Sequence, residues 1–259
     1  MIKVYIYKNK KEASIFCKDI ITTIVNNNPS AVIGFATGST FVDTYASIIN
    51  DFNKNKTDWS NVKTFNLDEY LNAKKDSPFG YRYFMDEQLF SHINLQEKNI
   101  HFPNSINTSS DDLKKYDAQI FDAHLNLQLL GVGRNGHIAF NEPGTRIDST
   151  THIVDLAKST IEDNARLFFN GDEDLVPKKA ISMGISNIMS AQKILLAAWG
   201  ESKQEAIKKL LEVGEITSNC PVTFLKKHND VVVVLDEIAF ELINENNIDN
   251  KLVEINKKF

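Results

Sequence analysis

The sequence of 259 residues contains only two cysteines, Cys17 and Cys220, which lie far apart in the chain. Two distant cysteines are too few for a disulfide framework or for a zinc site built from paired thiolates. We therefore expect a protein of the reducing cytoplasm.

Long apolar runs and an excess of positive charge are also missing. No apolar run approaches the roughly 18 residues of a transmembrane helix, and residues 1–13 lack the apolar stretch and cleavage site of a signal peptide. With 29 Lys and Arg against 34 Asp and Glu, the formal net charge is −5, whereas proteins that bind nucleic acid concentrate a basic face. We expect neither a membrane nor nucleic acid as a partner.

Short apolar runs alternate with helical patterns along the whole chain. The predicted strands are 4–7, 32–35, 62–65, 127–130, 193–198 and 231–235, and the predicted helices are near 11–25, 40–52, 81–90, 203–213 and 237–243. This alternation predicts an α/β fold with a mostly parallel sheet and helices on both faces. No repeat or low-complexity linker divides the chain, so one domain over residues 1–259 is expected. The carboxyl ends of parallel strands share one edge, where open sheets bind ligands.

The first loop at this edge reads Ala36-Thr37-Gly38-Ser39-Thr40 and enters a predicted helix. Small residues, two hydroxyls and a helix N-terminus form a chemically suitable phosphate cradle. The loop lacks the lysine of a P-loop and the three glycines of a dinucleotide fingerprint, which disfavours ATP and NAD. An ordinary flexible turn with a helix cap remains the alternative.

The second loop carries two adjacent carboxylates, Asp68 and Glu69, after the strand at 62–65. Such a pair can supply a catalytic base and its neighbour, or simply cap the following helix. The sequence pattern alone favours the cap.

The third loop, residues 129–145, reads LLGVGRNGHIAFNEPGT. His137 follows a glycine and precedes Glu142 by five residues, and a carboxylate beside an imidazole fixes its tautomer and raises its basicity. We therefore predict an acid–base pair. Metal binding by His137, Glu142 and Asp68 is the alternative, but no zinc-binding spacing accompanies them. The remaining histidines without a motif are predicted on the surface: His92, His101, His124 and His228.

Together these segments resemble the glucosamine-6-phosphate deaminase family across essentially the whole chain. The matching segments are GFATGST, TFNLDEY, GYRYFM, LLGVGRNGHIAFNEPGT, THIVDL, AISMGISNIM and the turn at 200–203. The combination of FNLDEY with GHIAFNEP is highly specific. The resemblance implies a modified Rossmann-like fold, which is shared with the 6-phosphogluconolactonases, and fold alone does not decide function.

The resemblance also implies an activity and a set of site residues. The substrate would be glucosamine 6-phosphate, converted with water to fructose 6-phosphate and ammonia in amino-sugar catabolism, with neither a metal nor another cofactor. His137 would open the sugar ring, oriented by Glu142 and Asn135. Asp68 would move a proton from carbon 2 to carbon 1 through an enediol-type intermediate. The phosphate would be bound by Thr37, Gly38, Ser39, Thr40, Arg166 and Lys203, and residues 156–179 resemble the family's mobile lid.

The chain departs from the family pattern at several positions. Asn135 replaces an aspartate of many members, so it can orient the histidine only by hydrogen bonds. Gly80 replaces a common serine, which leaves room for a related hexosamine phosphate. Relatives activated by N-acetylglucosamine 6-phosphate carry an arginine and a lysine where this chain has His152 and Val154. We therefore expect weak or absent activation, and a homo-oligomer is possible but less secure.

Two other function classes are open. The first is a related hexosamine-phosphate isomerase or a 6-phosphogluconolactonase-like hydrolase on the same fold. The second is a non-enzymatic module that senses sugar phosphates, which would need the phosphate loop but not both Asp68 and His137.

Overall fold

The computed structural model of the protein describes residues 1–55 and 57–258. The predicted domain span of 1–259 includes Lys56 and Phe259, which lie outside the described residues. The strands in chain order are β1 (Ile2–Tyr7), β2 (Val32–Phe35), β3 (Lys63–Asn66), β4 (Asp68–Tyr70), β5 (Ile100–His101), β6 (Leu127–Leu130), β7 (His152–Asp155), β8 (Lys179–Ser182), β9 (Ile194–Ala198), β10 (Val231–Asp236) and β11 (Val253–Lys257). The helices are α1 (Lys10–Asn27), α2 (Val42–Asn55), α3 (Tyr81–Gln88), α4 (Ser110–Ala123), α5 (Lys158–Phe168), α6 (Ile185–Met189), α7 (Gln204–Leu211) and α8 (Glu237–Phe240).

The main sheet has eight parallel strands in the order β11-β1-β10-β9-β6-β2-β3-β5. Its central strands are buried along their whole length, as in the Val-Val-Val-Val-Leu-Asp sequence of β10. A parallel sheet covered by helices on both faces buries both sides of each strand, so its strands read as continuous apolar runs. The predicted α/β class is confirmed, and the flanking helices bury the sheet from solvent.

The strand order reverses direction between β2 and β6. From β2 the chain moves outward through β3 to β5, then returns to β6 and continues the other way to β9 and β10. Loops that leave neighbouring strands on opposite sides of such a reversal diverge and open a crevice at the carboxyl ends of the strands. The loops after β2 and β6 are two of the three that the sequence singles out.

A second, antiparallel sheet with the order β4-β8-β7 packs beside the main sheet. The sequence pattern indicates a loop at Asp68 to Tyr70 and does not predict this sheet. Strands of three or four residues carry too few alternations to be recognised from periodicity. An aromatic cluster lies between this sheet, α3 and the loop of residues 131–145 after β6, called the glycine loop below. The cluster consists of Tyr70, Tyr81 and Phe140, and it is buried together with Ala73, Leu156 and Ala180.

One predicted surface residue is buried instead. Only 8% of His228 is exposed; its Nε2 lies 2.8 Å from the carbonyl of Ala191, and its Nδ1 accepts a hydrogen bond from the amide of Asp230 at 3.1 Å. The surface prediction for this histidine is wrong because both ring nitrogens find backbone partners, which makes burial possible.

None of the described helices is long and apolar enough to cross a membrane.

Candidate active site

A cavity of about 360 Å³ lies at the carboxyl ends of four neighbouring strands. The loops that line it follow β9, β6, β2 and β3, which are consecutive in the main sheet. Its volume falls within the usual range for small-molecule sites, roughly 300–1,000 Å³. Of the residues predicted for the site, the cavity is lined by Thr37, Gly38, Ser39, Thr40, Asp68, His137, Arg166 and Lys203.

The loop after β2 forms one wall of the cavity. Gly38 adopts a φ of +92°, a left-handed conformation that a side chain would strain. The indole nitrogen of Trp199, at the end of β9, donates to the carbonyl of Thr40 at 2.8 Å. This hydrogen bond joins the loops after β2 and β9, so the small residues of one loop face the cations carried near the other.

Three cations line the same cavity. Lys203 ends a short 3₁₀ turn after β9, Arg166 lies on α5, and Arg134 lies in the glycine loop after β6. Burial lowers the pKa of Lys203, Arg166 and Arg134 act in the same direction, and the charge of Asp163 opposes them. These four charged groups therefore share one electrostatic environment, which suits an anionic ligand.

Asp68 is buried at the junction of the two sheets, with 6% of its surface exposed. Its backbone pairs with Ser182 of β8, and its carboxylate lines the cavity. Burial and the neighbouring charge of Glu69 raise the pKa of Asp68 to about 8. A carboxylate with a raised pKa that faces a cavity is a suitable general base.

Glu69 has a different role from its neighbour. Its carboxylate accepts hydrogen bonds at 2.8 Å from the amides of Tyr70, Tyr81 and Arg82, and the last two are the first residues of α3. Burial raises the pKa of Glu69 to about 7, although these three amides oppose the shift. Glu69 therefore caps a helix, which is one of the two interpretations of the carboxylate pair, whereas Asp68 faces the cavity.

His137 and Glu142 are in contact, as the spacing predicts. The Nδ1 atom of His137 lies 3.3 Å from Oε2 of Glu142, and the same oxygen accepts a hydrogen bond from Nδ2 of Asn135 at 2.8 Å. The Oδ1 atom of Asn135 in turn accepts from the amide of His137 at 3.1 Å. Asn135 thus orients Glu142 and the loop backbone and makes no hydrogen bond with the imidazole ring.

Glu142 stays ionised in this network. Burial alone would raise its pKa, but the hydrogen bond and charge of His137, with hydrogen bonds from Thr160 and Asn135, lower it to about 2. An ionised carboxylate on Nδ1 keeps the proton on that nitrogen and leaves Nε2 to act on a ligand in the cavity.

The glycine loop is shaped around the imidazole ring. A Cβ atom on Gly133 would lie 2.4 Å from Nε2 and Cε1 of His137, so only glycine lets the ring cross the loop backbone. Ala139 has a φ of +51°, unusual for a residue with a side chain. Asn141 anchors the loop, since its Nδ2 donates to the carbonyls of Ile138 and Met183 at 3.0 and 2.8 Å.

Helix α5 forms the outer wall of the cavity and is tied to the glycine loop. The hydroxyl of Thr160 donates to Oε1 of Glu142 at 2.5 Å. Arg134 contacts Glu162 at 3.1 Å and Asp163 at 3.4 Å. The amide of Asn164 donates to the hydroxyl of Tyr70 at 2.7 Å, which ties the helix to the second sheet as well.

Four residues that line the cavity are not predicted from the sequence: Arg134, Thr160, Asp163 and Asn164. A signal for three of them is present. Thr160, Asp163 and Asn164 have the i, i+3, i+4 spacing that places polar side chains on one face of a helix.

The alternative that His137, Glu142 and Asp68 bind a metal ion gains no support from the structure. Among the residues described, no three His, Cys, Asp or Glu side chains are grouped so that they could hold a metal ion.

Comparison with known proteins identifies the family. The family model of the glucosamine-6-phosphate isomerases and 6-phosphogluconolactonases matches residues 10–234. The chain belongs to this family. Within it, a glucosamine-6-phosphate deaminase of Thermoanaerobacter sp. (strain X514) is 41% identical over 256 residues, covering 98% of this chain and 99% of the relative.

Solved structures of the glucosamine-6-phosphate isomerase and 6-phosphogluconolactonase family share the fold. A monomeric glucosamine-6-phosphate deaminase superposes with a TM-score of 0.88 at 38% identity, covering 93% of this chain and all of the other. A 6-phosphogluconolactonase of Trypanosoma brucei has a TM-score of 0.71 at 16% identity, covering 94% of this chain and 99% of the other. The second likeness shows the fold alone.

Proposed function

We propose that this chain converts glucosamine 6-phosphate and water to fructose 6-phosphate and ammonia. The observation that carries the proposal is that Asp68 and His137 line one cavity with the cations Arg166 and Lys203, and that Glu142 contacts His137 from behind. The near full-length identity of 41% to a protein named for this activity supports the same substrate.

The first step opens the sugar ring. His137, held by Glu142 on Nδ1, moves a proton between the anomeric hydroxyl and the ring oxygen through Nε2. The open aldehyde then makes the hydrogen on carbon 2 acidic. The ionised Glu142 stabilises the imidazolium that forms during this transfer, which is what a carboxylate beside a catalytic histidine contributes.

The second step moves the carbon 2 proton. Asp68 takes it and delivers it to carbon 1, while the oxygen on carbon 1 gains a proton that the ammonium group on carbon 2 gives up. These transfers convert the amino aldose into a protonated imine at carbon 2 of the ketose. Water then adds to that imine carbon, and ammonia leaves, so the products are fructose 6-phosphate and ammonia. The raised pKa of Asp68 makes its ionised form a stronger base than an exposed aspartate.

The phosphate is held by the loop after β2 and by cations of the same cavity. The loop Thr37 to Thr40 offers hydroxyls and flexible backbone, while Arg166 and Lys203 supply positive charge. Charge-assisted hydrogen bonds of this kind position a phosphorylated substrate and hold its reacting carbons near the base.

The chain works as one domain whose residues 156–179, including α5, act as a mobile lid. The proposed compartment is the cytoplasm, which agrees with two buried free thiols. Assembly into a homo-oligomer is the alternative to a monomer, and the similar solved structure is that of a monomeric enzyme.

A coupled assay tests this function by measuring ammonia and fructose 6-phosphate from glucosamine 6-phosphate. We expect the wild-type chain to release both in equal amounts and Asp68→Asn to lose turnover by about 10³-fold or more while substrate binding persists. The matched control is Asp148→Asn, an exposed residue paired with Arg146, which should retain activity. Turnover of a sugar phosphate without ammonia would contradict the deaminase function, and activity in Asp68→Asn would contradict the base assignment.

A further inference from the structure

Asp163 lies among the cations of the proposed phosphate site. Its Oδ2 atom is 3.4 Å from Nε of Arg134, and its Oδ1 atom is 3.5 Å from Nη2 of Arg166. Asp163, Arg134, Arg166 and Lys203 all line the same cavity. One carboxylate therefore lies among three cations that would otherwise favour an anionic ligand.

The contacts of Asp163 are weaker than those that hold the rest of α5. Both of its ion pairs are longer than the 2.7–2.9 Å of a good charge-assisted hydrogen bond, whereas Thr160 meets Glu142 at 2.5 Å. Asp163 also differs from its neighbour Glu162 in its position relative to the cavity. Glu162, which contacts Arg134 at 3.1 Å, is not among the residues that line the cavity. Asp163 thus neutralises the cations without being locked to them.

We propose that Asp163 is an internal counter-ion that holds the phosphate-binding cations until a phosphoryl group displaces it. The identification of the anion as the phosphate of a sugar phosphate rests on the proposed function. Because Asp163 and a bound phosphate carry the same sign of charge, the two compete for Arg166 and Arg134. The wild-type chain therefore binds phosphate more weakly than its three cations alone would allow.

Removing the charge should strengthen anion binding. In Asp163→Asn the amide fills nearly the same volume but neither repels a phosphate nor neutralises the arginines. We expect the Kd for inorganic phosphate to fall by about three- to tenfold, the size typical of one partly exposed charge pair. The gain should shrink as salt concentration rises, because ions screen exposed charges.

Isothermal titration with inorganic phosphate at constant pH and ionic strength measures this directly and needs no catalysis. The control Glu173→Gln removes the same charge from an exposed residue beyond α5 that does not line the cavity, and its Kd should stay within about twofold of wild type. Circular dichroism establishes that the variants fold. If Asp163→Asn does not fold, Asp163→Ser serves as a second neutral variant.

The outcomes separate this inference from the proposed function. A Kd in the neutral variants that equals the control's, or is weaker, would overturn the counter-ion role, as would a cavity that binds no phosphate in any variant. A weaker Kd would instead mean that Asp163 positions Arg166 for the ligand. Failure of the deaminase function shows in the ammonia assay on wild-type protein and leaves the phosphate titration unaffected.

Discussion

Asp68 and Glu69 are adjacent in sequence and chemically alike, yet their side chains have different surroundings. Three backbone amides hold Glu69 at the start of α3. No comparable donors are found for the Asp68 carboxylate within residues 1–55 and 57–258, and it faces the cavity instead. Because consecutive residues of a strand point to opposite sides, the short strand β4 separates the cap from the proposed base.

The raised pKa of Asp68 predicts a pH-dependent cost to stability. With a pKa of about 8 in the folded protein and an ordinary value near 4 in the unfolded chain, the folded state binds a proton that the unfolded state has released. The contribution of this group to the free energy of unfolding therefore falls as pH rises from about 4 to about 8. The stability gained by Asp68→Asn should grow over that range by an amount on the order of 1–3 kcal/mol.

Urea denaturation of wild type and Asp68→Asn at pH 5 and pH 8.5 measures this difference. The control Asp148→Asn should show a stability difference that is the same at both pH values, since Arg146 lowers the pKa of that exposed carboxyl group and it is ionised in both states above pH 5. A stability difference for Asp68→Asn that does not change with pH would show that the carboxyl group titrates normally.

At the scale of secondary-structure elements, α5 is the part of the proposed lid that contacts the acid–base pair. The hydroxyl of Thr160 is one of three donors on Glu142, and the others come from the glycine loop itself. A helix that donates to the carboxylate behind His137 can influence catalysis without touching the reacting atoms. Helix α5 carries Thr160, Asp163 and Asn164 on one face. This spacing is present in the sequence, but only the structure shows that this face lines the cavity.

Replacing Thr160 by valine keeps the shape of the side chain and removes the donor. We expect kcat of Thr160→Val to fall by about tenfold, since a hydrogen bond to a charged group contributes roughly 1.5–3 kcal/mol. Thr160→Ser retains the hydroxyl and should keep most of the activity. Steady-state kinetics of the two variants measures the difference. Equal losses in both would assign the effect to packing, and no loss in either would exclude a positioning role.

At the scale of the whole molecule, the edge of the second sheet bears on regulation. In β7, Val154 packs against the aromatic cluster, and Nδ1 of His152 lies 2.8 Å from the carbonyl of Thr150. Val154 cannot form an ion pair with a phosphate, so this edge lacks one of the two cations that the resemblance associates with an activator site.

We therefore expect hyperbolic saturation by glucosamine 6-phosphate and at most a small response to N-acetylglucosamine 6-phosphate. Activity titrations over a range of substrate concentrations, with and without that effector, measure both properties. A sigmoidal curve that the effector shifts strongly to lower substrate concentration would contradict this prediction.

The sequence by itself determined six of the eight strands of the main sheet, the helices α1, α2, α3, α7 and α8, and the three loops at the carboxyl edge. These features depend on local apolar periodicity and on residue types that act within a few positions, as His137 and Glu142 do. Even there the pattern could not say which of Asp68 and Glu69 faces the cavity, because both suit a helix cap equally well.

The tertiary structure alone decided which distant residues meet. The short strands β4, β7 and β8 form a sheet only through each other, so no single segment signals it. The contacts of Thr160 with Glu142 and of Asp163 with Arg134 join residues 18 and 29 positions apart. Such contacts depend on the strand order that brings α5 across the glycine loop, and this order is a property of the packed sheet rather than of any local sequence.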